Sequence, residues 1–131
     1  MAQSANSAAT SGVLPAEALA LLMESGAIRL GGALGRRQLQ PASLDLTLGA
    51  RGWRVRASFL PSRTRRVVER LDDGLRMHEI DLAAGAVFER GCVYLVELGE
   101  RLALPRDIAG AANPKSSTGR IDVFVRLVAD G

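Results

Sequence analysis

Apolar and polar residues alternate along several short stretches of the chain, a pattern typical of β-strands. Segments 43–49 (SLDLTLG) and 53–59 (WRVRASF) have apolar residues at nearly every second position, so an extended strand would have one apolar and one polar face. In the second segment Trp53, Val55 and Ala57 share one face, and arginines occupy the other. Both segments are therefore predicted to be half-buried strands.

Three more segments continue this pattern towards the end of the chain. The strand pattern resumes at 77–82 (MHEIDL), and it is strongest at 92–98 (CVYLVEL) and 122–128 (DVFVRLV), which are rich in β-branched and aromatic residues. Glycine and proline signals separate such segments about every 8–12 residues, the spacing of an all-β sandwich or barrel. We therefore predict a mostly β domain with one short helix at its edge.

That helix is predicted at 15–28 (PAEALALLMESGAI), where the apolar period changes. Its first residue, a proline, suits the first helical turn, and Leu19, Leu22 and Met23 form an apolar stripe. Gly26 is a natural residue to end the helix. After this segment the helical pattern nearly disappears.

The composition is that of a soluble globular protein of one domain. Of the 131 residues, 47% are hydrophobic and 24% charged, and only 4% are aromatic, which argues against a surface for stacking nucleic-acid bases. Cys92 is the only cysteine, which excludes an internal disulfide and fits a reducing compartment. No stretch approaches the roughly 20 apolar residues of a membrane span. We expect a cytoplasmic protein without a membrane partner.

The start of the chain, 1–12 (MAQSANSAATSG), is polar and built of small residues. It has neither the basic region nor the apolar region of a secretory signal. We predict a disordered tail over residues 1–12, and we expect residues 13–131 to be the folded part of the chain.

Basic residues are mostly arginine and are unevenly distributed. The chain has 17 basic residues, of which Lys115 is the only lysine, and between Arg51 and Arg70 seven arginines face one acid, Glu69. Either this is a solvated surface of an arginine-rich protein, or it is a positive field that attracts a polyanion such as a nucleotide. The pattern of segment 62–74 (SRTRRVVERLDDG) also allows two interpretations. It forms either a short helix ended by Asp-Asp-Gly or an arginine-rich excursion between strands.

Several kinds of site are excluded by the residues themselves. Zinc needs three or four His, Cys or carboxylate ligands, and the chain has one histidine and one cysteine, fourteen residues apart. We interpret His78 as a surface residue and Cys92 as a core residue. There is no G-x-S-x-G motif, and the glycine-rich segment 29–37 (RLGGALGRR) follows a helix instead of a strand, so we interpret it as a flexible connector.

The remaining candidate is the segment 113–120 (NPKSSTGR). It is not a Walker loop, because the glycines that should precede the lysine are absent. Its lysine is a compact point charge, its arginine is a forked donor, and its hydroxyls suit phosphate oxygens. Gly119 would let neighbouring N–H groups converge on an anion. On this chemistry alone, the segment is either a polar surface turn after Pro114 or a phosphate-binding turn.

Longer motifs around this segment resemble the dCTP deaminases of the dUTPase-like superfamily. The resemblance rests on PKSSTGRIDVFVRLVADG (114–131), on LALPRDIAG (102–110) and GCVYLVEL (91–98) before it, and on QPASLDLTLG (40–49). WRVRASFLP (53–61) and MHEIDLAAGAVFERG (77–91) resemble a longer bacterial subgroup of that family. The similarity extends from about Gly12 to the last residue.

The resemblance implies a mostly β fold, a distorted jelly-roll β-barrel of the β-clip type with a short N-terminal helix, incomplete at the C-terminus. It further implies a homotrimer with active sites between subunits. The implied reaction is hydrolytic deamination of dCTP to dUTP and ammonia, in the synthesis of dUMP and dTTP. Magnesium would be bound through the substrate triphosphate, with no zinc and no protein metal ligands. Partners would be nucleotides of the dCTP, dUTP or dTTP type, and not nucleic acid.

The resemblance also assigns site residues. Position by position, the family's substrate-binding residues fall on Lys115, Ser116, Ser117, Thr118, Gly119, Arg120 and Ala129. Ser116 and Arg120 match the catalytic residues that organise the reacting water and the cytosine ring. Ala129 matches a small residue that leaves room for that water.

The family's general base is a glutamate on a strand after this motif, in a segment that would begin beyond Gly131. The chain is therefore either a fragment of a longer protein or a degenerate relative of the family. We expect a fragment that binds nucleotide poorly and does not turn it over. The alternatives are a dUTP diphosphatase, a bifunctional dCTP deaminase and dUTP diphosphatase, and a non-catalytic nucleotide-binding module.

Overall fold

The computed structural model describes residues 11–60, 62 and 64–130. The predicted tail therefore lies almost entirely outside the described residues. In chain order the elements are α1 (Ala16–Glu24), β1 (Ile28–Arg29), β2 (Leu39–Gln40), β3 (Ser43–Leu44), β4 (Leu48–Val55), α2 (Val67–Arg70), β5 (Arg76–Asp81), β6 (Val93–Leu98), β7 (Arg101–Leu102) and α3 (Ser116–Arg120). The short strands agree with the alternation pattern, whereas the described residues contain three short helices and the pattern predicts one.

The strands form three antiparallel sheets. The largest has the order β5-β4-β6, and the others are the pairs β1-β7 and β2-β3. In the large sheet Trp53 lies between Glu79 of β5 and Leu95 of β6. Within the described ranges these sheets do not close on one another, so the structure has strands of the expected kind without a closed barrel.

The core lies on one face of β4, because the alternation of that strand directs its apolar side chains to the same side. Trp53 and Val55 are 7% and 5% exposed, and they pack with Leu71 and Leu95. The predicted apolar face is therefore confirmed at these two positions. It is wrong at Ala57, which lies beyond the end of β4 and is exposed.

The strand predicted at 43–49 is divided in two. β3 ends at Leu44, and β4 begins only at Leu48. Between them the Asp45 N–H donates to the Gln38 carbonyl at 2.8 Å, and the Thr47 N–H donates to the Glu100 carboxylate at 2.9 Å. These two bonds, to the residue before β2 and to a distant carboxylate, bend the chain between β3 and β4. An alternation of apolar and polar residues does not reveal such a bend.

The helix predicted at 15–28 is confirmed in a shorter form. It spans Ala16–Glu24, and Pro15 immediately precedes it instead of lying in its first turn. Gly26, at φ 79°, follows the last turn as predicted. The segment 62–74 adopts the helical alternative: α2 is followed by an irregular turn, Leu71–Leu75.

We expect Gly74→Ala to destabilise this turn. Gly74 has φ 87°, a left-handed conformation that costs an L-residue with a Cβ about 1–2 kcal/mol. The free energy of unfolding, measured by urea titration, should fall by about 1 kcal/mol. Gly74→Asn should cost less, because asparagine tolerates this region better than alanine does. Equal stability of the alanine variant and the wild type would contradict the assigned conformation.

Two sequence predictions are wrong: the strand at 122–128 and the core position of Cys92. Residues 122–128 form no strand: Asp122 has φ 63°, which turns the chain immediately after α3, and none of the described strands pairs with the segment. Phe124 is 90% exposed. Cys92 is half-buried, and its Sγ lies 3.7 Å from a carboxylate oxygen of Glu89 instead of in the core. His78 is exposed, as predicted.

The arginines around β4 and α2 are largely paired with acids. The pairs are Arg51–Glu97, Arg54–Glu89, Arg65–Asp73, Arg66–Asp130 and Arg76–Asp72. The hydrogen bond from Arg51 to Glu97, together with the carboxylate charge, raises the pKa of Arg51. Because acids from other parts of the chain neutralise these cations, the arrangement favours a solvated surface over a free positive field.

Candidate functional site

The segment that begins at Lys115 forms a compact helical turn. Lys115 itself is extended, with φ −72° and ψ 134°, and the five residues of α3 follow it. The Thr118 hydroxyl donates to the Lys115 carbonyl at 2.6 Å, and the Thr118 N–H donates to the same oxygen at 3.1 Å. Thr118 thus closes the turn from within, and this use of its hydroxyl makes it a structural member of the motif.

The side chains on either side of Thr118 are directed to the surface. Ser116, Ser117, Gly119 and Arg120 are all exposed. Arg120 forms no ion pair with any residue in the described ranges, unlike the arginines beside β4. The turn therefore presents hydroxyls and one guanidinium that are accessible to an anionic ligand.

Lys115 has a specific partner. Its Nζ donates to Oδ2 of Asp45, in the segment between β3 and β4. The lysine side chain is 61% exposed and the aspartate side chain 30% exposed. This ion pair joins the motif to a part of the chain seventy positions earlier.

A buried polar cluster is hydrogen-bonded to the backbone of Asp45 and Thr47. Glu100 is 8% exposed and accepts hydrogen bonds from Gln38 Nε2 at 2.6 Å and from the Thr47 hydroxyl at 2.7 Å. Gln38 is also 8% exposed, and its Oε1 accepts from the Gly35 N–H at 3.1 Å. The connector 29–37 is thus attached at its end to this cluster.

Ala129 is exposed and precedes a residue that is bonded to the start of α2. No hydrogen bond among the described residues joins it to the motif. Its neighbour Asp130 accepts from the Val67 N–H at 2.6 Å and lies 3.5 Å from the Arg66 guanidinium. The structure therefore brings together the predicted residues from 115 to 120 and places Ala129 beside α2.

The sequence prediction missed Asp45, Thr47, Gln38 and Glu100. A signal was present for two of them, because Asp45 and Thr47 are the polar positions of the alternating segment SLDLTLG. Nothing in the local pattern distinguishes Glu100 from the other acids of the chain. Within the described part of the chain, no three His, Cys, Asp or Glu side chains lie close enough to hold a metal ion, and no helix there has the length and apolar character to cross a membrane.

Comparison with known proteins identifies the family. The model of the 2'-deoxycytidine 5'-triphosphate deaminase N-terminal domain matches residues 10–131. The chain belongs to this family. The resemblance inferred from the motifs is thereby confirmed, and the whole of the Lys115–Arg120 turn lies inside the matched region of the dCTP deaminase domain.

A solved structure gives the same result. The chain is similar to the crystal structure of 2'-deoxycytidine 5'-triphosphate deaminase from Agrobacterium tumefaciens, with 50% sequence identity and a TM-score of 0.88. The match covers 92% of this chain and 35% of that chain, so this chain spans about a third of the length of the solved enzyme. A search of curated proteins found no match.

Proposed function

We propose that this chain is the substrate-binding part of an enzyme that hydrolyses dCTP to dUTP and ammonia. The observation that supports this most directly is the exposed turn Lys115–Arg120, with its hydroxyls, its ammonium and a guanidinium that has no acid partner among the described residues. It occurs in a chain that belongs to the dCTP deaminase family. A triphosphate needs such positive and hydrogen-bonding groups.

In the proposed complex, Lys115 and the turn at Ser116 and Ser117 bind the triphosphate, while the Ser116 hydroxyl is directed to the other end of the substrate. The lysine ammonium is a compact charge with three donors, one of which points at Asp45, so the others are available to phosphate oxygens. Magnesium would bind to phosphate oxygens of the substrate, which are the ligands it ordinarily takes with a nucleotide. In this proposal the chain positions the phosphates and does not hold the ion itself.

The cytosine end of the substrate is assigned to Ser116, Arg120 and Ala129. Water adds to C4 of the ring, N3 gains a proton and ammonia leaves, so the site must orient a water molecule and stabilise charge that develops on the base. The Arg120 guanidinium and the Ser116 hydroxyl have the donors for this task. The resemblance gives the general-base role to a glutamate after the motif, and we assign that role to none of the acids described above.

Several wider features belong to the same proposal. We propose that residues 13–131 form the N-terminal part of a domain whose complete form is a distorted jelly-roll barrel. We also propose a cytoplasmic homotrimer in which Arg120 reaches a site shared with a neighbouring subunit. The exposed Phe124 and its apolar neighbours Val123 and Val125 fit this view, because large exposed apolar groups mark surfaces that another segment or subunit covers.

The function can be tested by product analysis with the complete gene product. With dCTP and magnesium, we expect ammonia and dUTP in equal amounts and no pyrophosphate. Pyrophosphate from added dUTP would instead show a dUTP diphosphatase, and ammonia together with pyrophosphate and dUMP would show a bifunctional enzyme. Thermal stabilisation by dCTP without any product would show a non-catalytic nucleotide-binding module and would contradict the proposal.

A further inference from the structure

We propose that Asp45 and the buried Glu100 cluster form a positioning unit that holds Lys115 in place for the triphosphate. This inference rests on the proposed function, because it assumes that Lys115 binds phosphate. Asp45 and Glu100 are positioning residues here, since each acts through another residue and neither is assigned a contact with the substrate.

The first step is the contact between the two charged side chains. Lys115 is attached to the surface by a long side chain with several rotatable bonds, and fixing such a side chain has a large entropic cost. Its Nζ donates to Asp45 Oδ2, which limits where the ammonium can lie before any ligand arrives. Binding then orders less of the lysine side chain, and preorganisation of this kind increases affinity.

The second step concerns how Asp45 is itself held. Its N–H donates to the Gln38 carbonyl at 2.8 Å, and two residues later the Thr47 N–H donates to Glu100 Oε2 at 2.9 Å. The aspartate backbone is therefore fixed from both sides. Without these bonds, the segment between β3 and β4 would be free to move, and the Asp45 carboxylate would move with it.

The third step is the buried carboxylate on which both attachments converge. Glu100 Oε1 accepts from Gln38 Nε2 at 2.6 Å and from the Thr47 hydroxyl at 2.7 Å. Three donors thus meet one carboxylate in a buried place, and hydrogen bonds to a charged acceptor are about twice as strong as neutral ones. Hydrogen bonds thus connect Glu100 to Gln38 and Thr47, which hold the segment that carries Asp45. Asp45 in turn holds Lys115.

The unit can be measured without a substrate, through the rate at which the Lys115 side chain is acylated, followed on the peptide that contains Lys115. An acylating reagent modifies side-chain amines, and here the α-amino group provides an internal reference. We expect Asp45→Asn to raise the rate of Lys115 acylation roughly fivefold, and Glu100→Gln to raise it about threefold, within the range of coupling between contacting residues. A glutamine at position 100 has one acceptor oxygen for three donors, so at least one of the bonds that fix Asp45 would weaken.

Matched variants keep this result interpretable. Thr47→Ser retains both donors to Glu100 and should leave the acylation rate unchanged, whereas Thr47→Val removes the hydroxyl and should raise the rate. If Glu100→Gln does not fold, judged by thermal unfolding, the valine variant takes its place. An acylation rate that Asp45→Asn does not alter, or that neither Glu100→Gln nor Thr47→Val alters, would overturn the positioning unit.

A second measurement separates this inference from the proposed function. In the complete gene product, Asp45→Asn should weaken dCTP binding roughly fivefold when Lys115 is present and should have no effect in a Lys115→Ala background. Tighter binding by Asp45→Asn would show that the aspartate competes with phosphate, and it would overturn the inference. Unchanged dCTP affinity of Lys115→Ala alone would instead overturn the proposed role of Lys115 as a phosphate ligand, while acylation still decides whether the unit positions it.

Discussion

Arg120→Ala in the complete gene product should abolish measurable ammonia release from dCTP. Loss of one donor that stabilises developing charge typically lowers kcat by about 10²–10³-fold. Arg120 is exposed at the end of α3 and has no acid partner within the described ranges, so the substitution removes no structural ion pair there. The folded state should therefore be nearly as stable as the wild type, which thermal unfolding can check. Ser116→Ala should give a similar loss of activity, because that hydroxyl is assigned to the same end of the substrate.

Two further variants show whether the loss is specific to the site. Arg120→Lys keeps the positive charge but lacks the planar fork, so it should restore little activity if the guanidinium must make two directed hydrogen bonds. Arg90→Ala removes an arginine that is also exposed but lies outside the motif, and it should leave kcat unchanged. Near-normal ammonia release by Arg120→Ala or by Ser116→Ala would show that the site residues are wrongly assigned.

The sequence predicted those parts of the fold that local pattern determines. The alternation at Trp53 and Val55 places both side chains in the core, since a strand directs every second side chain to the same face. The helix ending before Gly26 follows from an apolar stripe and a terminal glycine. These features depend on neighbours in the chain, and they are confirmed.

The parts that could not be predicted depend on contacts between distant residues. The segment 122–128 has the composition of a strand, yet a strand also needs a partner to share its backbone hydrogen bonds, and none of the described strands provides one. Position 45 looks like an ordinary polar residue of a strand. Its importance comes from Lys115, seventy positions later, and from a carboxylate at position 100 that bends the backbone beside it.

The same dependence on distant contacts explains why the motif was easier to identify than its support. Lys115, Ser116 and Arg120 lie within one short segment and were matched by resemblance to the family. Asp45 and Glu100 are single acids in separate segments, and only the fold brings them to the motif. Predicting them requires knowledge of where the chain bends between β3 and β4.

Gly31→Ala should be strongly destabilising, because two backbone segments come together at this glycine. A Cβ at position 31 would lie 2.8 Å from both the Cα and the carbonyl oxygen of Gly99. These are backbone atoms, so no side-chain rotation can relieve the overlap. Gly99 is also held by a hydrogen bond from its N–H to the Thr47 carbonyl at 2.9 Å. We expect a loss of about 3 kcal/mol, the upper end of the usual cost of overpacking.

The measurement is the free energy of unfolding by urea titration, with Gly32→Ala as the matched control. A methyl group added to this neighbouring glycine would meet no atom of the described residues within 4 Å, so alanine there should change stability by less than about 0.5 kcal/mol. The clash at position 31 should displace Glu100, which follows Gly99 directly, and thereby loosen Asp45 and Lys115. Gly31→Ala should therefore also raise the acylation rate of Lys115, whereas Gly32→Ala should not. Equal stability of the two variants would contradict the close approach of residues 31 and 99.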